Sequence, residues 1–213
     1  MRKVLISLVL IFFIGCITAS TGQADVSFGL SVGDEGIKSF YLAVGEHYQV
    51  PEKEIVVVKQ KNIPNEEMPV VFFLAKRAGT SPEVIIKLRL GGKSWMEITA
   101  HFGLSAEIFY VPVKEVSGPP YGKAYGHFKN RKKNQWREIK LNDVDIVNFV
   151  NLKFISEHYG CTPDEVVKMR ENGKNFIDIN TEIKKNKGQA KKEARVAATE
   201  NKPAKSKGKG KKK

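Results

Sequence analysis

Two stretches of this chain, 81 residues apart, spell the same unit, and that duplication limits what it can fold into. Gly79-Thr80-Ser81-Pro82 matches Gly160-Cys161-Thr162-Pro163, and Ile85-Ile86-Lys87-Leu88-Arg89 matches Val166-Val167-Lys168-Met169-Arg170. Gly92-Lys93-Ser94-Trp95-Met96-Glu97-Ile98 then matches Gly173-Lys174-Asn175-Phe176-Ile177-Asp178-Ile179, and upstream Phe73-Leu74 faces Phe154-Ile155. So many matches in one register mark two copies of a single supersecondary unit.

Each copy reads as three helices. The first spans about Glu66–Ala78 in one copy and about Asp143–Tyr159 in the other. Gly79 and Gly160 stop it, because glycine enters the left-handed C-cap conformation at little steric cost. Ser81 or Thr162 then caps a short helix that opens on Pro82 or Pro163 and ends at Gly92 or Gly173. Ser94 or Asn175 caps the third. Its apolar stripe, Trp95, Ile98 and Phe102 or Phe176, Ile179 and Ile183, falls on one helical face, so Trp95 and Phe176 are expected as equivalent buried anchors. A fainter echo precedes both copies. His47-Tyr48, Pro51 and Glu54-Ile55-Val56 resemble His158-Tyr159, Pro163 and Glu165-Val166-Val167, with the proline slipped by one.

The remaining sequence has other periods. Val26, Phe28, Leu30 and Val32 alternate, Gly33-Asp34-Glu35-Gly36 turns, and Phe40, Leu42 and Val44 alternate again, which predicts a β-hairpin over 25–45. Ile108 to Val111 could add a strand. The expected fold is therefore mainly α with a small N-terminal β-hairpin (α+β), with repeat copies over 46–113 and 141–185. A basic Gly/Pro/aromatic insert separates them over 114–140. Beyond 186 the chain is Lys, Ala, Gly, Glu and Pro with almost no apolar bulk, and residues 186–213 are expected to be disordered.

Charge is unevenly placed. The net charge is +13. The 12 Lys and one Arg of residues 184–213 outweigh two Glu by +11, Arg2 and Lys3 add +2, and residues 25–183 balance to zero. The chain opens Met-Arg-Lys, continues with the apolar run Val4 to Ile14 and reaches Gly22-Gln23-Ala24. A basic start, a short apolar centre and a small-x-small site read as a signal peptide over 1–24, with the mature chain starting at Asp25 in the periplasm or outside the cell. Phe13-Ile14-Gly15-Cys16 allows a second reading, a lipoprotein signal with Cys16 lipidated. After cleavage at Ala24 only Cys161 remains, so no intrachain disulfide is expected. Cys161 and His158 alone are too few ligands for structural zinc, and no metal site or cofactor is expected.

The insert carries the clearest chemistry. Lys123, Lys129, Arg131, Lys132, Lys133, Arg137 and Lys140 face only Glu138, interleaved with Tyr121, Tyr125, Phe128 and Trp136. Cations mixed with aromatics suit a polyanion surface for anionic lipid, lipopolysaccharide or acidic glycan, with Lys129, Arg131, Lys132, Lys133, Arg137, Tyr125 and Trp136 as candidate binding residues. The competing reading is a solvated loop clamped to the core by its aromatics. Gly92 to Ser105 resembles a bacterial helix-turn-helix in its Ile98, Thr99, Gly103 and Leu104. The segment after its turn, Ser105-Ala106-Glu107, offers no Arg or Lys for bases or phosphates, so specific DNA binding is not expected. Gly92-Lys93-Ser94 lacks the upstream glycine of a phosphate loop, since Lys87 stands there. No nucleophile–base or metal-hydrolase motif is found, and Asp143 and Asp145 suit a helix start without catalysis.

Pro69-Val70-Val71-Phe72-Phe73-Leu74-Ala75, Gly92-Lys93-Ser94-Trp95 and Gly118-Pro119-Pro120-Tyr121-Gly122-Lys123-Ala124-Tyr125-Gly126 resemble a family of exported proteins from Gram-negative bacteria with no assigned activity. The likeness spans most of 26–183. It implies an exported, largely helical protein and transfers no site residues. The expected function is envelope interaction or structure without catalysis, through an anionic component or an envelope protein. A helix-turn-helix nucleic-acid binder and an unrecognised periplasmic enzyme are the alternatives.

Overall fold

The computed structural model describes residues 34–114, 116 and 118–200. The expected signal peptide, Cys16 and the first expected strand, Val26 to Val32, lie outside the described residues, as do 201–213.

Helices follow one another as α1 (Glu35–Tyr48), α2 (Glu52–Gln60), α3 (Met68–Ala78), α4 (Pro82–Leu90), α5 (Trp95–His101), α6 (Gly122–Lys129), α7 (Asp143–Tyr159), α8 (Pro163–Glu171) and α9 (Phe176–Glu200). Short 3-10 turns at Asn65–Glu67, Ala106–Phe109 and Lys133–Glu138 join them. Among the described residues there is no strand.

Two sequence expectations about strands are therefore corrected. The stretch read as the second strand of a hairpin, Phe40 to Val44, lies inside α1. Its buried residues include Phe40, Tyr41, Val44 and Tyr48, spaced by three and four, which is the period of a helix face. The Phe-x-Leu-x-Val alternation was coincidental: Leu42 is only partly buried. Ile108 to Val111 is not a strand either, since Ala106–Phe109 forms a 3-10 turn. Phe109 and Val111 are buried there without pairing to another strand. The expected disorder is corrected for 186–200 only, where α9 runs on to Glu200; the rest of that expectation, 201–213, lies outside the described residues. Lys, Ala, Gln and Glu have high helix propensity, and a helix already nucleated by packed residues extends cheaply.

The centre is α3 packed on α7. Met68 to Ala75 are buried without a break, so α3 is covered on all sides. Helix α1 packs on α3, α7 and α9. Its approach to α9 is close at Gly36, where an added Cβ would lie 3.3 Å from Ile177 Cγ2.

The duplication is present in the backbone. Helices α3 and α7 both end on a left-handed glycine, Gly79 (φ 64°) and Gly160 (φ 61°). Each donates its N–H to the carbonyl four residues back, Ala75 or Ser156. The next helices, α4 and α8, both have nine residues. Trp95 and Phe176 are both fully buried, as expected. Arg89 lies 4.6 Å over the Trp95 ring and Arg170 5.0 Å over the Phe176 ring. The same arginines donate to the carbonyls of Lys93 and Lys174.

The echo at residues 46–56 belongs to a third copy of this geometry. Gln49 takes the left-handed place of the glycines (φ 58°), its N–H bonds Gly45 O, and α2 again has nine residues. Asn62 (φ 57°) then stands where Gly92 and Gly173 stand. Only the proline is displaced, because Pro51 occupies the N-cap that Ser81 and Thr162 occupy elsewhere.

Candidate functional site

The insert is built inward from its aromatics. Tyr121, at the N-cap of α6, and Tyr125 and Phe128 within it are buried. The Phe128 ring meets Phe149 of α7 edge-on at 5.7 Å, and Tyr125 meets Phe149 at 4.9 Å. Each polar aromatic atom has a backbone acceptor. Tyr125 Oη donates to Val111 O at 2.6 Å, Tyr121 Oη to Asn148 O at 3.3 Å, and Trp136 Nε1 to Phe128 O at 3.2 Å. Burial raises the pKa of both tyrosine hydroxyls, so they stay neutral donors.

That anchoring leaves the cations outside. Lys129, Arg131, Lys132, Lys133 and Arg137 are all exposed, as are Lys123 and Lys140. Among the described residues none of the seven forms an ion pair. Lys133 Nζ lies 6.0 Å from the Trp136 ring centroid, at the outer range of a cation–π contact.

The candidate residues divide into two groups. Tyr125, Trp136 and Lys129 meet at a cleft of about 270 Å³ whose wall also includes Tyr110, Val113 and Lys114. The Tyr110 and Trp136 rings pack there with centroids 4.5 Å apart, tilted by 46°. Arg131, Lys132, Lys133 and Arg137 do not line this cleft; they stand on the adjoining surface around the Lys133–Glu138 turn. Sequence reasoning missed Tyr110 and Lys114, which precede the aromatic run and reach the cleft only because the chain folds back against α6.

Other sequence features resolve into structure. The helix-turn-helix-like segment has its turn at Gly103 (φ 69°), but a four-residue 3-10 turn follows, and its Ala106 and Phe109 are buried. No exposed helix emerges there to enter a groove. Gly92-Lys93-Ser94 is a helix-to-helix turn closed by a capping box between Ser94 and Glu97. Cys161 is half-buried, its thiol pKa pushed up by burial, so it is a poor nucleophile. Among the described residues no group of three or more His, Cys, Asp or Glu is placed to hold a metal ion. Nor is any helix among them long and apolar enough to cross a membrane.

Comparison with protein-family models, curated proteins and solved structures finds no match to this chain.

Proposed function

We propose that this is an exported cell-envelope protein that works by binding rather than by catalysis. Its ligand is an anionic envelope component presenting phosphate or carboxylate groups, as a lipid headgroup, lipopolysaccharide or acidic glycan does. The observation that carries this reading is the insert. Its aromatics are locked into the core, and its cations stand unpaired on the surface beside an aromatic-walled cleft. Cations mounted on a fixed turn lose less freedom on binding than cations on a loose loop, which strengthens attraction to a polyanion. The basic N-terminal signal pattern, the likeness to exported proteins and the charge split support the same reading. The lysine-rich C-terminal segment adds non-specific, salt-sensitive attraction.

The test compares three forms of the mature chain: unaltered, shortened after Glu200, and carrying Lys129→Gln, Arg131→Gln, Lys132→Gln, Lys133→Gln and Arg137→Gln together. Each is measured against anionic-lipid vesicles, lipopolysaccharide and an acidic polysaccharide over a range of salt. At moderate salt the shortened form should still bind and the five-fold variant should lose most of its affinity. Unchanged binding by the five-fold variant would defeat the reading. Recovery of one envelope protein by all three forms at high salt would replace it with a specific protein partner.

A further inference from the structure

A second cleft, of about 360 Å³, opens where the C-terminal ends of α1 and α3 meet the last turns of α7. It lies on different elements from the insert. Phe73 and Tyr48 contribute its aromatic surface, while Lys76, Arg77 and Lys153 supply three cations against one carboxylate, Glu157.

That carboxylate is already engaged. Lys153 Nζ lies 2.6 Å from Glu157 Oε1, and His47 Nε2 lies 3.8 Å from Oε2. Lys76 and Arg77 have no carboxylate within ion-pair distance among the described residues. Both are exposed at the cleft, and the Arg77 guanidinium sits 5.4 Å over the Phe73 ring. The Tyr48 hydroxyl is the second observation. Tyr48 is only 9% exposed and lines the cleft, yet its hydroxyl makes no hydrogen bond among the described residues. The ring is buried, but the hydroxyl is not among the buried polar atoms without a partner, so it opens onto the cleft with its donor uncommitted to the protein. Here an unpaired donor and two unpaired cations border one cavity with an aromatic wall.

We propose that this cleft binds a small organic anion, its carboxylate or phosphate met by Lys76, Arg77 and the Tyr48 hydroxyl, its apolar or aromatic body laid against Phe73. The competing account is that Lys76 and Arg77 merely complement the C-terminal turn of α3, where cations are favoured by the helix dipole. That account predicts no ligand and no effect of the Tyr48 hydroxyl on anion binding.

The mature protein is titrated at millimolar concentration with benzoate, phenyl phosphate and uncharged benzyl alcohol, following the imidazole resonances of His47 by NMR. Benzoate or phenyl phosphate should shift them saturably and raise the His47 pKa, and benzyl alcohol should not. Which of the two anions binds more tightly assigns the head group as carboxylate or phosphate. Lys76→Gln and Arg77→Gln should each weaken binding about tenfold. Tyr48→Phe keeps the ring and loses no internal hydrogen bond, so it should fold normally and bind several-fold more weakly. The five-fold insert variant should bind like the unaltered chain, which separates this site from the insert. No saturable shift at His47 with either anion overturns the proposal, as does affinity unchanged by both Arg77→Gln and Tyr48→Phe.

Discussion

The two copies of the repeat start alike and end differently. In both, a buried helix ends on a left-handed glycine, a nine-residue helix follows, and a fully buried aromatic opens the third helix. In copy 1 the third helix, α5, stops after seven residues, and Gly103 turns the chain back toward the insert. The matching position in copy 2 is Lys184, and α9 continues to Glu200. The copies thus part around this register position, one into a turn leading to the cationic surface and the other into a helix leading toward the basic C-terminal segment. A duplicated scaffold can hold two different outlets because the anchoring lies upstream of the difference.

The copies also cap each other. The Trp95 N–H donates to Asp143 Oδ1 at 2.8 Å, and the Phe176 N–H donates to Glu66 Oε1 at 2.6 Å. Each third helix therefore takes its N-terminal acceptor from the region where the other copy's first helix begins. The network on the copy 1 side is larger, because Arg89 also binds Glu67 and Asp143.

The equivalence of the anchors can be broken directly. Trp95→Ala and Phe176→Ala should each cost about 3–5 kcal/mol in denaturant unfolding, since each empties a fully enclosed site. A large cost in one copy and a small one in the other would mean that the copies carry unequal weight.

The reciprocal capping gives the next effect. Asp143→Asn should cost about 1–3 kcal/mol, by weakening both the charged Trp95 N–H acceptor and the Arg89 ion pair. Glu66→Gln should cost less, because Glu66 makes no ion pair among the described residues. Chemical denaturation of both variants measures the asymmetry, and equal losses would contradict it.

Smaller still is the difference among the three left-handed caps. Gly79→Ala and Gly160→Ala should each cost about 1 kcal/mol through the backbone alone, since an added Cβ meets nothing within 4 Å. Gln49→Gly should instead stabilise the chain by up to about 1 kcal/mol, because Gln49 already bears the strain its counterparts avoid. A destabilised Gln49→Gly variant would separate the first helix end from the other two.

The three helix ends also differ in charge. Glu46-His47 and Glu157-His158 occupy two of them and Lys76-Arg77 the third. His47 reaches toward Glu157 and His158 toward Glu46, with ring centroids 6.2 Å apart. Burial lowers both histidine pKa values, only partly countered by those carboxylates. A histidine with a lower pKa in the folded state binds fewer protons there than when unfolded. Its contribution is thus complete above about pH 6.5 and is lost as the pH falls through the folded values. The midpoint of thermal unfolding should fall modestly below pH 6.5, and His47→Gln with His158→Gln should flatten that part of the profile. An unaltered profile in the double variant would assign the acid sensitivity to other groups.

The units of this protein are written in its local sequence. Residue identities at fixed spacing dictate the glycine caps, the nine-residue helices, the two aromatic anchors and the charge split, because each depends on local backbone preference or on composition. The 81-residue register alone was enough to pair Trp95 with Phe176. Local pattern failed at Phe40 to Val44, where a short alternation also fits a helix face, and burial against α3, α7 and α9 decided for the helix. It failed again over 186–200, where low apolar content suggests disorder although those residues extend a helix begun by Phe176 and Ile179. At the insert the sequence listed the cations and aromatics, but packing on Phe149 decided that the rings turn inward and the charges outward. The cleft beside Tyr48 was beyond any local reading. Its groups come from three helices and span the chain from His47 to Glu157, and only the packing of α1, α3 and α7 brings their ends together. Local sequence sets the conformation of a segment, whereas the meeting of distant side chains depends on how those segments bury their apolar faces against one another.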